Sequence, residues 1–180
     1  MTMRAALGFS ALALGSFFLE SADSARAQDG PLDQVGGVCI PDGATIRAGL
    51  YETRGFGIGF SGSNTGTIRL LCPFTVTGDM LGVKVGITML SFIDGDGTAE
   101  AARVQAIFRE ATLGTNIAIT DGICNSNANT SNITGPTNMA CFASEVIIKI
   151  NTLYWWDVEI QRTDPKFNVE FLGVGMRYYN

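Results

Sequence analysis

From residue 43 onward, apolar side chains fall on every second position, and this period of two constrains the fold more than any other feature of the chain. The clearest instance is Phe56, Ile58 and Phe60 on one face with Gly55, Gly57 and Gly59 on the other. A helix buries residues three and four apart, whereas a strand turns successive side chains to opposite faces. After a turn at Gly62-Ser63-Asn64-Thr65-Gly66 the alternation resumes with Ile68, Leu70, Cys72 and Phe74. These two runs are therefore expected to form a hairpin that turns Cys72 toward the core. Val83, Val85, Ile87 and Met89 make the next strand, which ends at the turn-forming Asp94-Gly95-Asp96-Gly97. Gly82 and Gly86 weigh against reading it as a helix.

Residues 100–111 admit two readings. Ala99, Ala101, Ala102, Ala106 and Glu110 favour a helix, while Val104, Ala106 and Phe108 alternate, and the strand is preferred. Further strands are expected at residues 117–120, 146–150, 154–162 and 167–179. The last changes phase: Phe167, Val169 and Phe171 share one parity, and Val174, Met176 and Tyr178 share the other. One extra residue restores the register, so a β-bulge is expected at Gly173 or Gly175. With about eight short strands and no long crossover helix, the pattern predicts an all-β fold, a two-sheet antiparallel β-sandwich.

The N-terminus reads as an export signal. Arg4 supplies positive charge, residues 5–19 are uncharged and mostly apolar, and Ala25-Arg26-Ala27 gives a small-x-small cleavage pattern. Residues 1–27 are expected to be removed, leaving one domain over residues 28–180. The run is shorter than the roughly 20 residues that span a bilayer, and no later apolar run approaches that length. A periplasmic or extracellular location follows. All four cysteines, Cys39, Cys72, Cys124 and Cys141, lie beyond the cleavage site, and an even count in an exported chain points to disulfides. Pairing Cys39 with Cys72 and Cys124 with Cys141 closes the two shortest loops. Wide spacings and the complete absence of histidine disfavour a zinc site. The net charge of -5 and the scattered basic residues argue against a nucleic-acid partner.

Cys39-Ile40-Pro41-Asp42 leading into Ala44-Thr45-Ile46, and Thr65-Gly66-Thr67-Ile68-Arg69-Leu70-Leu71-Cys72-Pro73, together resemble uncharacterised exported β-sandwich proteins of proteobacteria. Tyr154 and Gly173-Val174 fit the ending of that pattern. The resemblance implies export and the sandwich, and no activity.

Without histidine, the Ser-His-Asp, Cys-His and His-ligated metal designs are excluded. Asp157 and Glu159 share a strand face, as a glycosidase acid and base would, but such pairs are usually solvated surface. No carboxylate is expected inside an apolar run, and a non-enzymatic role is preferred. Asp94, Asp96 and Glu100 resemble part of a calcium loop whose further ligands are missing, which leaves a looser calcium site as the alternative to a plain turn. Residues 125–138 form a polar run closed at its base by Cys124 and Cys141. They are read as a surface loop, with Asn129 and Asn132 as its hydrogen-bonding candidates. Trp156 shares parity with Tyr154, Val158 and Ile160 and belongs to the core, whereas Trp155 shares parity with Asp157 and Glu159 on the polar face. The leading expectation is an exported interaction or surface-structural module. The alternatives are a carbohydrate-binding module using Trp155 and the Asn-rich loop, and a small outer-membrane barrel suggested by the aromatic-rich C-terminal strand.

Overall fold

The computed structural model describes residues 32–35, 39–55, 57–76, 80–96, 99–115, 117–128 and 135–178. The expected signal segment, Phe56, Asn129 and Asn132 lie outside them. Eleven strands and one short helix are found among the described residues: β1 Leu32–Val35, β2 Ile40–Pro41, α1 Gly43–Ala48, β3 Tyr51–Arg54, β4 Gly57–Phe60, β5 Gly66–Phe74, β6 Lys84–Asp94, β7 Ala102–Thr112, β8 Ile119–Asn125, β9 Thr137–Ile147, β10 Thr152–Arg162 and β11 Val169–Tyr178. They form two antiparallel sheets, the expected sandwich. The first has the order β3-β4-β11-β6-β9 with β1 also beside β11, and the second has the order β2-β5-β10-β7-β8. The sheets stay open at their edges, which overturns the outer-membrane barrel. Residues 102–112 are a strand, so alternation prevails there over alanine's helix propensity.

The core lies between the sheets. Phe74, Phe108, Tyr154 and Trp156 of the second sheet form an aromatic cluster, with Phe74 edge-on to Trp156 at 5.3 Å and Phe108 stacked on Tyr154 at 5.8 Å. Phe60, Phe92 and Phe171 of the first sheet are also fully buried. Aromatic pairs in these geometries add about 0.5–1.5 kcal/mol beyond the area they bury. Both disulfides form as expected. Cys39–Cys72 fastens the start of β2 to β5, and Cys124–Cys141 joins β8 of one sheet to β9 of the other.

Three local expectations are corrected. The runs at 56–60 and 66–74 do not pair as a hairpin, because β4 and β5 belong to different sheets. The partner of β4 is β3, with Tyr51 opposite Phe60 and Arg54 opposite Gly57. The connection between β4 and β5 is held by Arg162, which is buried. It donates to the carbonyls of Asn64 (2.7 Å) and Gly62 (2.8 Å) and lies 4.6 Å from the Phe60 ring centroid. Residues 43–48, read as the start of alternation, are instead α1. The Asp42 carboxylate accepts from Thr45 N at 2.6 Å as N-cap, and Gly49 closes the helix at φ 61°. Finally, residues 125–138 are not wholly a surface loop. Ser126 is buried in a short 3₁₀ turn, Ser126–Ala128, and β9 already begins at Thr137 and ends at Ile147.

The phase change in the last strand is a bulge, as expected, but it falls on Leu172 rather than on Gly173 or Gly175: Phe171 pairs with Phe92, and Gly173 with Ser91. The extra residue sits where β11 changes neighbours. Glu170 and Phe171 pair with β4, and Gly173 to Met176 pair with β1. A bulge adds local twist, and here it separates the two strands that share one edge of β11.

Candidate functional site

The outer face of the second sheet gathers most of the residues singled out from sequence. The central strand β10 alternates strictly from Tyr154, with Tyr154, Trp156, Val158 and Ile160 buried and Trp155, Asp157 and Glu159 half-buried. Antiparallel pairing arranges the outward residues in rows. Pro73, Trp155 and Arg109 form one row, Leu71, Asp157 and Ile107 the next, and Arg69, Glu159 and Gln105 the third. Beyond them Ile40 pairs with Leu71 and Ile123 with Ile107, and both are exposed.

The carboxylates of this face are held by arginines from neighbouring strands. Arg109 Nε donates to Asp157 Oδ2 at 2.7 Å, and its Nη1 donates to Thr120 Oγ1 at 2.5 Å. The other Asp157 oxygen accepts the Trp155 indole N–H at 3.0 Å. Glu159 takes Arg69 at 3.1 Å and Arg103 at 3.9 Å. Each oxygen of Asp157 therefore accepts from a side-chain donor, an arrangement that orients the indole and pairs the carboxylate with an arginine. Between the rows lies a depression of about 410 Å³ lined by Asp42, Arg69, Leu71, Ile107, Arg109 and Asp157 among others. Sequence reading missed the three arginines. Strand parity placed Arg69 and Arg109 outward, but only the strand order sets them beside the carboxylates.

The calcium candidates diverge. Asp94 is buried at the end of β6, where its Oδ2 accepts the Ser126 hydroxyl at 2.5 Å and Ser126 Oγ in turn accepts Val104 N at 2.9 Å. Asp96 Oδ2 accepts Ala102 N at 2.6 Å, and Glu100 is exposed. Among the described residues no three Asp, Glu or Cys side chains converge as metal ligands.

Buried carboxylates exist, contrary to the sequence expectation. Burial pushes Asp94 up to about 7, against the opposing effect of the Ser126 hydrogen bond. Burial, with Glu110 beside it, pushes Asp121 up to about 6, and burial raises Glu170. Parity as read from sequence, with Val83, Val85, Ile87 and Met89 as the apolar face, put Asp94 on the other side; after a register shift between Val85 and Ile87 the structure instead turns Thr88, Leu90, Phe92 and Asp94 inward and leaves Ile87 and Met89 half-buried. Glu170 is different: it lies between the buried Val169 and Phe171. Its side chain occupies the space left by Gly57, where a Cβ would approach Glu170 Oε1 to 2.2 Å. The glycine face of β4 thus serves to admit a carboxylate.

Fold and face together define a disulfide-stapled β-sandwich domain with one mixed apolar and ion-paired sheet face, and its disulfides belong to an oxidising compartment. No protein-family model and no curated protein matches the chain. Solved structures similar to it include TmCBM61 in complex with β-1,4-galactotriose, at 9% identity and a TM-score of 0.41, covering 83% of this chain and 88% of that one. Another is the Eiger TNF of S. frugiperda, at 12% identity and a TM-score of 0.32, covering 85% of this chain and 87% of that one. At these scores neither likeness bears on function.

Proposed function

We propose that the protein is a non-enzymatic, exported interaction domain that binds a protein partner through the outer face of its second sheet. The observation that carries this reading is the row structure around Asp157. A half-buried Trp and two arginines are oriented by carboxylates among Leu71, Ile107 and Ile123. Trp and Arg are the side chains that dominate binding energy in protein interfaces, and fixing them in the free state lowers the entropy lost on association. Export is supported by the N-terminal charge, apolar run and cleavage pattern.

A second reading, a glycan ligand, is favoured by one feature only: a Trp ring flanked by hydrogen-bonding charged groups. One experiment addresses both. The exported protein and its Trp155→Ala variant are compared in capture from the proteins of the producing cell's envelope and on an oligosaccharide array. The variant should keep its thermal midpoint, with a stability change within about 0.5–1 kcal/mol, and lose the captured partner. Loss of an array signal instead selects the glycan. If Trp155→Ala unfolds the domain, or capture and array signals survive it unchanged, the face is not the binding surface.

A further inference from the structure

The inward face of β7 ends in a charge. Val104, Ala106 and Phe108 are buried along it, and the next inward residue is Glu110, only 8% exposed. Its Oε1 takes Lys149 Nζ at 3.2 Å, whereas its Oε2 is buried and has no hydrogen-bond partner among the described residues. An irregularity in the edge pair β7–β8 sets Asp121 beside it. Arg109 pairs with Thr120 and Phe108 with Gly122, so Asp121 is the extra residue of a β-bulge, a device that re-aims the side chain it carries. Asp121 Oδ2 is likewise buried and without a partner among the described residues.

Both carboxylates line a cavity of about 190 Å³ between β7 and β8 of the second sheet and β9 of the first. Glu145, Val146, Ile147 and Lys149 complete its lining. Glu145 is engaged by Lys84 at 2.5 Å, which leaves Glu110 and Asp121 to share the charge of Lys149. A buried carboxylate oxygen without a donor is costlier than a neutral group left unpaired. Two such oxygens in one cavity, against a single lysine already bonded to Glu110, leave it one positive charge and one set of N–H donors short.

We propose that this cavity binds a primary alkylammonium group, whose N–H donors reach Glu110 Oε2 and Asp121 Oδ2 while its methylenes lie against Val146 and Ile147. The site is separate from the sheet face that carries Trp155 and does not rest on that reading. An ammonium brings three donors and one charge, and Lys149 already makes the same bond to the other oxygen of Glu110. Calcium fits less well, since it takes about six to eight oxygens and the unengaged carboxylates here are two, one of them held by a lysine. At the roughly 30 Å³ that a water occupies in the liquid, the cavity has room for about six non-hydrogen atoms, an ammonium and a short chain. A small free amine and the end of a lysine side chain share this chemistry.

The test is titration of the disulfide-bonded protein at about pH 7.5, where Asp121 is ionised, with n-butylammonium, with Nα-acetyl-lysine amide and with calcium, each against potassium at equal ionic strength. A ligand of the folded state raises the thermal midpoint. A saturable rise is expected with at least one of the two amines, and the tighter of them names the source as a free amine or a lysyl side chain. Asp121→Asn, which removes the charge and keeps the shape, should weaken binding on the order of tenfold or more. Lys149→Met, at an exposed side chain, should tighten it by removing the competing cation. Trp155→Ala should respond like the native protein, which keeps the site distinct from the sheet face. The proposal is overturned if neither amine shifts the midpoint beyond potassium, if calcium alone does, or if Asp121→Asn responds as the native protein does.

Discussion

The two sheets are built from the same period of two, yet the central ladders of one are regular and those of the other are not. In the second sheet β10 pairs with β5 and with β7 without a register shift. Burial alternates cleanly there, so the inward face is an aromatic cluster and the outward face an ordered array of Trp, Arg and carboxylate. In the first sheet β11 serves β4, β1 and β6, shifts register at Leu172 and again after Arg177, and covers a glycine-lined strand with the buried Glu170. The difference teaches that alternation yields an ordered outer surface along an uninterrupted central ladder; in the second sheet the register shift between Phe108 and Arg109 falls on the edge pair β7–β8. In the first sheet the bulge at Leu172 and the glycines of β4 admit the buried Glu170.

The largest expected effect lies in the regular sheet. Trp156 is fully buried among Phe74, Phe108 and Tyr154, so Trp156→Ala should cost about 3–5 kcal/mol in chemical denaturation. A cost equal to that of Trp155→Ala would break the claim that the two faces of β10 differ.

A smaller effect is expected in the irregular sheet. A Cβ at Gly57 meets Glu170 Oε1 at 2.2 Å and Leu172 Cδ2 at 2.9 Å, so Gly57→Ala should destabilise by about 1–3 kcal/mol. Gly135→Ala, which meets nothing within 4 Å, should be within about 0.5 kcal/mol of the native protein. A double-mutant cycle sharpens the cause: in the Glu170→Ala background much of the Gly57→Ala cost should disappear. An unchanged cost there would assign the glycine to the backbone of β4 rather than to the carboxylate.

A further effect is a slope with pH. Asp94, raised by burial to about 7, and Asp121, raised to about 6, hold protons in the folded state that the unfolded chain has already released above about pH 4. Their contribution is complete below the unfolded value and is lost as pH rises through 6 to 7. The thermal midpoint should therefore fall between pH 5 and pH 8, and Asp94→Asn should flatten that fall. A midpoint that rises over this range would show that these carboxyls are ionised in the folded domain.

Sequence alone determined whatever depends on neighbouring residues. Parity separated Trp156 from Trp155, the phase change showed that the last strand carries a bulge though not that it falls on Leu172, and loop lengths with the facing of Cys72 selected the disulfide pairing. The short helix at Gly43–Ala48 was missed although its cap, Asp42, precedes it, because Ala44 and Ile46 also alternate. Tertiary structure alone decided which strands lie side by side. It split the 56–60 and 66–74 runs between two sheets, set Arg69, Arg103 and Arg109 against Asp157 and Glu159, and brought Ser126 to Asp94 across 32 residues. The physical reason is that a strand's own period fixes only which side chains face together. Its ladder partners are chosen by the packing of a core to which distant segments contribute, and a site assembled across strands exists only once that choice is made.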